Sequence, residues 1–165
     1  MIQDDGHRIA GLSLASRWRR LAAAIVDNLV SIACSTPIII HLDLMSELVE
    51  VSGQPALSGA KLAAVIYAVW LAVNAWPLHH RAQSLGKLAL GIMIVDGQGR
   101  PAPLLRIAVD RTLSVQMLAL IPYVGGAIAM ADVLLIFRAD RRCMHDLIAR
   151  THVVERPPHF AARIG

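Results

Sequence analysis

Charge and aromatic side chains are both scarce in this chain. Charged residues fill 17% of its 165 positions and aromatics 4%, whereas an average chain carries about 25% charged residues. That shortage, with 56% hydrophobic residues and a mean hydropathy of +0.54, argues against a disordered polyampholyte and an ordinary soluble domain. The apolar mass is alanine, leucine, isoleucine and valine, as expected of a small polytopic membrane protein. Cysteine is nearly absent. Cys34 and Cys143 form no CxxC and imply no disulfide framework. The first residues, MIQDDGHRIAG, lack a short apolar core and a small-residue cleavage site, so they do not read as a signal peptide, and the first apolar run is expected to stay as an uncleaved insertion signal. No nucleic-acid-binding motif accompanies the net charge of +4, so the basic residues point to a membrane surface and not to DNA or RNA. Residues 41–60 contain no lysine or arginine at all.

Two stretches have the length and polarity of spanning helices. Residues 21–40 would be about 30 Å long as a helix, the thickness of a bilayer core. Residues 62–78 form the second, with Trp76, His79, His80 and Arg81 as an interfacial anchor. Between them, Leu42, Met45, Leu48 and Val49 are spaced for a short amphipathic helix, broken at Ser52-Gly53-Gln54-Pro55. Within the polar loop 79–105, Gly91 to Val95 reads as a strand and Asp96-Gly97-Gln98-Gly99 as a turn. Thr151 to Glu155 reads as a second strand. Two short strands need each other's backbone groups, so they are predicted to pair.

Basic residues cluster at 17–20, at 81–100 and at 138–150, which places the N-terminus, the central loop and the tail on the cytoplasmic side. The third apolar stretch must then return to the side it left. It is expected to be a helix hairpin, 104–120 and 125–137, bent near Pro122 and Gly125-Gly126, that either crosses or re-enters.

Asp27 lies inside the first apolar run. A charge at a helix centre costs about 2.5–3.5 kcal/mol on insertion scales. Ala23, Asp27, Ser31 and Ser35 recur every fourth residue, so Asp27 is expected to face the bundle along a stripe of small and polar residues. An arginine is expected to neutralise it, either Arg20 two turns earlier or Arg111. With Asn74 and Asp132, these residues make a candidate ion or proton locus. The competing possibility is that the same charges only lock helices together.

Other motifs carry less. Ser84-Leu85-Gly86-Lys87 lacks the first glycine and the closing Ser/Thr of a phosphate loop, so Gly86 is expected to permit a tight backbone and Lys87 to pair with Asp146 or lipid phosphate. His79-His80 diverge on any regular element, which argues against a metal site. Cys143 and His145 are spaced for no hydrolase arrangement, and Asp146 is expected to cap the short helix that follows or to pair with Arg142 or Lys87. No enzyme activity, cofactor or metal is expected.

Four segments in order, RRLAAAIVD (19–27), QSLGKLALGIMIVDGQGR (83–100), the arginine of RIAVDR at 111, and CMHDLIARTHVV (143–154), resemble the RDD family of bacterial membrane proteins. By position, the family's first-helix arginine resembles Arg20 and its aspartate Asp27. Its Gly-Lys segment is similar to 83–87, with serine where threonine is common. Its later arginine resembles Arg111, and its His-Asp pair His145-Asp146. The resemblance implies a single membrane domain over 1–155 with a tail at 156–165, a transport role that includes sodium or proton exchange in some members, and no established enzyme activity. The family's usual three spans contrast with the even count that the charges require. The expected fold is an all-α membrane bundle of two full transmembrane helices and a third helix pair, with a small cytoplasmic two-stranded β element. The expected setting is the bacterial inner membrane, in a homo-oligomer, since so few spans enclose no path alone. The alternative is a non-transporting accessory whose cytoplasmic loop docks a protein partner.

Overall fold

The computed structural model describes residues 8–49, 55–121, 124–138 and 141–157. Its elements follow the order β1 (Arg8–Ile9), β2 (Leu12–Ser13), α1 (Arg17–His41), α2 (Leu44–Val49), α3 (Pro55–Arg81), α4 (Leu85–Ala89) and β3 (Ile92–Asp96). A π-helical segment (Arg106–Leu113), α5 (Ser114–Ala119), α6 (Gly125–Leu134) with a final 3-10 turn, α7 (Met144–Ile148) and β4 (Thr151–Glu155) complete it.

Helix α1 starts where Ser16 turns its hydroxyl onto the Arg19 N–H at 3.2 Å, satisfying one of the orphan donors of the first turn. Inside the helix the polar side chains return to the backbone. Asn28 donates to the Ala24 carbonyl at 2.9 Å, Ser35 to Ser31 at 2.7 Å and Thr36 to Ile32 at 2.7 Å, so none needs water. Pro37 falls near the end of the helix, and Asp43, at φ 51°, closes the connection to α2. The buried residues of α1 are Arg20, Ala23, Asp27, Ser31 and Ser35, which is the expected polar stripe extended by one arginine. Leu29 and Ile32 on the other side are 61% and 60% exposed. An apolar helix that turns its small polar side inward and its leucines outward is suited to lipid and not to water.

Helix α3 begins with Pro55 in its first position, where a missing N–H costs nothing. Both α1 and residues 59–81 of α3 are long and apolar enough to cross a membrane, with hydropathies of 1.8 and 1.5. Both are longer than expected: α1 starts at Arg17 and ends at His41, and α3 starts at Pro55 and ends at Arg81. At the end of α3, Arg81 lies over the Trp76 ring, 5.4 Å from its centroid, and His80 packs against the same ring. Residues 52–54 of the anticipated chain break lie outside the described residues. So do Pro122 and Tyr123 of the hairpin bend. The hairpin arms themselves are helical and pack together, α5 against α6.

Strands β3 and β4 pair antiparallel in the register Ile92↔Glu155 to Asp96↔Thr151. The run Ile92-Met93-Ile94-Val95 does not alternate because both faces of the pair are covered. Ile92, Ile94 and Val153 face the helices, against Ala23 and Leu78, while Met93, Val95 and Val154 face Ile9, Leu12 and Leu14. Burying each of these side chains contributes roughly 1.5–3 kcal/mol. The expected two-stranded element is present, and a second one covers its outer face. A hairpin, β1–β2, turns at Ala10 (φ 49°) and Gly11 (φ 80°) and runs on to join β4 through a Leu14↔Val154 bridge and an Ala15 N–H bond to the Val153 carbonyl at 2.9 Å. It went unseen because its strands are two residues each, too short for any periodicity.

Candidate functional site

Helix α4 is the element that builds the site. It lies against α1 at a distance only glycine allows. A methyl built on Gly86 would overlap the Ala23 carbonyl oxygen and come within 2.9 Å of Asp27 Cγ. This contact lays the first turn of α4 over the Asp27 carboxylate. The Gly86 N–H donates to Asp27 Oδ1 at 2.7 Å, and the Ser84 hydroxyl donates to Oδ2 at 2.5 Å. Lys87 Nζ is 3.5 Å from Oδ2 and donates to Ser84 Oγ at 3.2 Å. Asn74, buried on α3, accepts the Leu85 N–H at 2.8 Å and donates to the Trp70 carbonyl at 2.9 Å. The segment 84–87, which lacks the pattern of a phosphate loop, thus cradles the chain's own carboxylate.

Asp27 is buried, as expected, but the expected arginine is not its partner. Lysine, serine and a backbone N–H take that place. Lys87 correspondingly pairs with Asp27 and not with Asp146. Both arginines go elsewhere. Asp146, fully buried, receives Arg20 Nη2 on one carboxylate oxygen and Arg111 Nη2 on the other at 2.8 Å. The Cys143 N–H donates to the same carboxylate at 3.2 Å, so Asp146 also serves as the expected cap of α7. Arg142 donates to the Asp146 backbone carbonyl at 3.2 Å. Burial alone would raise the Asp146 carboxyl, but the Arg111 and Arg20 guanidiniums together hold it well below the usual carboxylate range.

Asp132 is held by a different group. It accepts the His145 backbone N–H at 3.0 Å and His145 Nδ1 at 2.7 Å. Nε2 of the same ring lies 3.1 Å from Arg111 Nη2. A guanidinium only donates, so Nε2 accepts and Nδ1 carries the hydrogen toward Asp132. Asp132, His145, Arg111 and Asp146 therefore form one chain of hydrogen bonds with a fixed tautomer.

The π-helical segment aims Arg111 into this cluster. Its wider turn buries Ile107, Ala108 and Arg111 together, and Thr112 returns its hydroxyl to the Ile107 carbonyl at 3.0 Å. Tyr67 of α3 donates to the Ala108 carbonyl at 3.0 Å. Local widening of this kind recurs at functional sites.

Among the expected locus residues, Asp27, Arg20, Arg111 and Asp132 all line one cavity of about 410 Å³, with Lys87 and His145. Asn74 stands behind α4 and holds it, outside the cavity wall. Burial and the Arg111 guanidinium pull the Lys87 ammonium below the ordinary lysine value, with Asp27 opposing. Ser84 and Cys143 belong to the site but have no expected part in the sequence, whereas the tight backbone expected at Gly86 is the contact with Ala23. The hint available was the serine preceding a short helical run, at its N-cap.

Cys143, His145 and Asp146 bring their ligand atoms within 4.8 Å of one another. The donor set does not suit a metal. Asp146 is already shared by two guanidiniums, and burial pushes the Cys143 thiol up to about 11, leaving it protonated at neutral pH.

A helical domain with two membrane-length helices, an internal charge cluster and a small sheet joining its central loop to both ends is the architecture defined here. The chain belongs to the RDD family, which it matches over residues 14–150, and is a membrane-type domain of that family. It is also similar to YckC of Bacillus subtilis (strain 168), described as an uncharacterized protein, with 29% identity over 144 residues that cover 87% of this chain and 86% of that one. No solved structure matches the chain. The positions that resemble the family's motifs, Arg20, Asp27, 83–87, Arg111 and His145-Asp146, converge around the cavity.

Proposed function

We propose that this protein is an ion-exchange subunit of the bacterial inner membrane, assembled as a homo-oligomer with both termini cytoplasmic. The supporting observation is the Asp27–Lys87 pair on the wall of the cavity. Lys87 is a cation held beside a carboxylate, with its proton loosened by burial. When Lys87 gives up that proton, Asp27 is left with a negative charge that a small cation can satisfy. When the cation leaves, Lys87 takes a proton back. One charge replaces another at one place, which is the requirement for one-for-one exchange.

The sheet favours the even number of crossings. With β3, β4 and the segment before α1 joined on one side, residues 104–137 must come back to that side once α1 and α3 have crossed.

Purified protein reconstituted in liposomes is expected to couple an imposed pH gradient to sodium flux. Asp27→Asn is expected to lower that flux at least tenfold while keeping the wild-type helical spectrum. Flux unchanged in a folded Asp27→Asn protein overturns the exchange reading. The second reading, a non-transporting accessory, is favoured by Asp146, whose shared bond to Arg20 and Arg111 fixes α1, the π-helical segment and α7 together. It predicts no flux under any gradient, and a protein partner held at the central loop.

A further inference from the structure

The donors and acceptors around the cavity do not balance. Every carboxylate there is engaged. Asp27 takes Ser84, Gly86 and Lys87; Asp132 takes His145 twice; Asp146, behind the wall, takes Arg20, Arg111 and the Cys143 N–H. The donors are not all engaged. Arg111 Nη1 is buried and, among the described residues, has no hydrogen-bond partner. Lys87 carries three N–H bonds, and among the described residues Ser84 and Asp27 are within reach to receive them. A buried guanidinium N–H without an acceptor is unfavourable, and an anionic oxygen is the strongest acceptor that could relieve it.

The rest of the cavity has another character. Away from Arg111 and Lys87 its wall is largely apolar, with Leu21, Ile66, Trp70, Val115, Val133 and Ile136, and also carries Asp27 and Asp132, each already paired, and uncharged polar side chains such as Asn28 and Gln116. A volume of about 410 Å³ falls in the range of small-molecule sites, about 300–1,000 Å³. It is far larger than one anion needs. An apolar chamber with unused donors at one end matches a molecule with an apolar body and one anionic head.

We propose that this cavity binds an amphiphilic monoanion, its carboxylate or phosphate head at Arg111 and Lys87 and its chain along the wall that includes Trp70. The head could come from a free alkyl carboxylate or from an anionic lipid. The inference concerns binding alone and stands whether or not the protein exchanges ions.

Trp70 supplies the readout, because bromine quenches an indole it touches. Trp18 and Trp76 are exposed at 73% and 58%, so Trp18→Phe and Trp76→Phe leave Trp70 as the reporter. In detergent, ω-brominated dodecanoate is expected to quench Trp70 saturably, and ω-brominated dodecanol and dodecylammonium at least about tenfold less tightly. Arg111→Gln is expected to weaken the dodecanoate about ten- to a hundred-fold. Because Arg111 also holds Asp146, Val115→Phe provides a second variant, which narrows the apolar end and leaves the charges intact. It too is expected to abolish saturable quenching.

Nanodiscs made with tail-brominated phosphatidylglycerol distinguish the sources. Saturable quenching there, against little with brominated phosphatidylcholine, assigns the site to lipid, whereas quenching only by the free acid assigns it to a soluble ligand. Equal quenching by the alcohol, or no saturable quenching in a folded Trp70-only protein, overturns the proposal. Flux without quenching counts against this inference alone, and quenching without flux against the exchange reading alone.

Discussion

Gly86→Ala is expected to lower the melting temperature of the detergent-solubilised protein by about 10 °C. The added methyl has nowhere to go, since it meets the carbonyl oxygen of Ala23 and Cγ of Asp27. Overpacking against a flexible side chain costs about 1–3 kcal/mol. Here the obstacle is helix backbone, so the cost sits at or above the upper end, about 3 kcal/mol, and each kcal/mol moves the midpoint by about 2–4 °C in a chain of this size. The helix shift needed to relieve the overlap also pulls the Gly86 N–H and the Ser84 hydroxyl off Asp27. Two controls sharpen the result. Ala23→Gly in the same chain is not expected to rescue Gly86→Ala, because the clash is with the carbonyl and not with the alanine methyl. Ser84→Ala, which removes the hydroxyl's bonds to Asp27 and from Lys87 without moving the helix, is expected to cost less than Gly86→Ala. Wild-type melting for Gly86→Ala would show that α4 does not rest on α1 as described.

Asp146→Asn is expected to be at least as damaging. It keeps the side-chain shape but removes the one charge shared by two buried guanidiniums. Breaking a buried ion pair from one side costs about 3–5 kcal/mol, because the remaining charge is left uncompensated. Arg20 and Arg111 would both be left so. Replacing Asp146 and Arg20 together by leucine and methionine is expected to recover part of the loss, since it removes a buried charge from each side. The pH dependence follows from the same bond. The Asp146 carboxyl titrates below its ordinary value in the folded protein. Its contribution is therefore complete above the unfolded carboxylate pKa of about 4 and is lost as pH falls below that toward the folded value. Thermal unfolding of the wild type is expected to weaken steeply below about pH 4, and that of Asp146→Asn to weaken less. Parallel acid profiles for the two proteins would remove Asp146 from this role.

Much of the fold was readable from local pattern. The stripe at 23, 27, 31 and 35 identified the buried side of α1 because a single helix with one packed face writes its contacts at a fixed interval. β4 was legible to its last residue, and β3 to within one, because each is a short β-branched run bounded by turn residues. The pairing of charges was not legible. The interior holds three carboxylates, two arginines and a lysine, and any of several matings satisfies charge alone. What selects among them is the fit of Gly86 against Ala23, a contact between segments 63 residues apart in number. Nothing in the spacing of either segment reports it. Arg20 lies on the same face of α1 as Asp27, yet its long side chain reaches α7, and helical spacing says nothing of the direction in which a long side chain leans. The π-helical turn was equally silent, since RIAVDRTL is as good a sequence for an ordinary helix.

The bridge from Leu14 to Val154 brings the segment before α1 and the strand after α7 side by side. In space the order of elements is therefore a ring with a single cut. A short linker could close that cut, and the exposed turn at residues 97–99 could then serve as the opening, giving a permuted chain with every helix contact kept. Where the chain is opened is, for this architecture, a choice among surface turns.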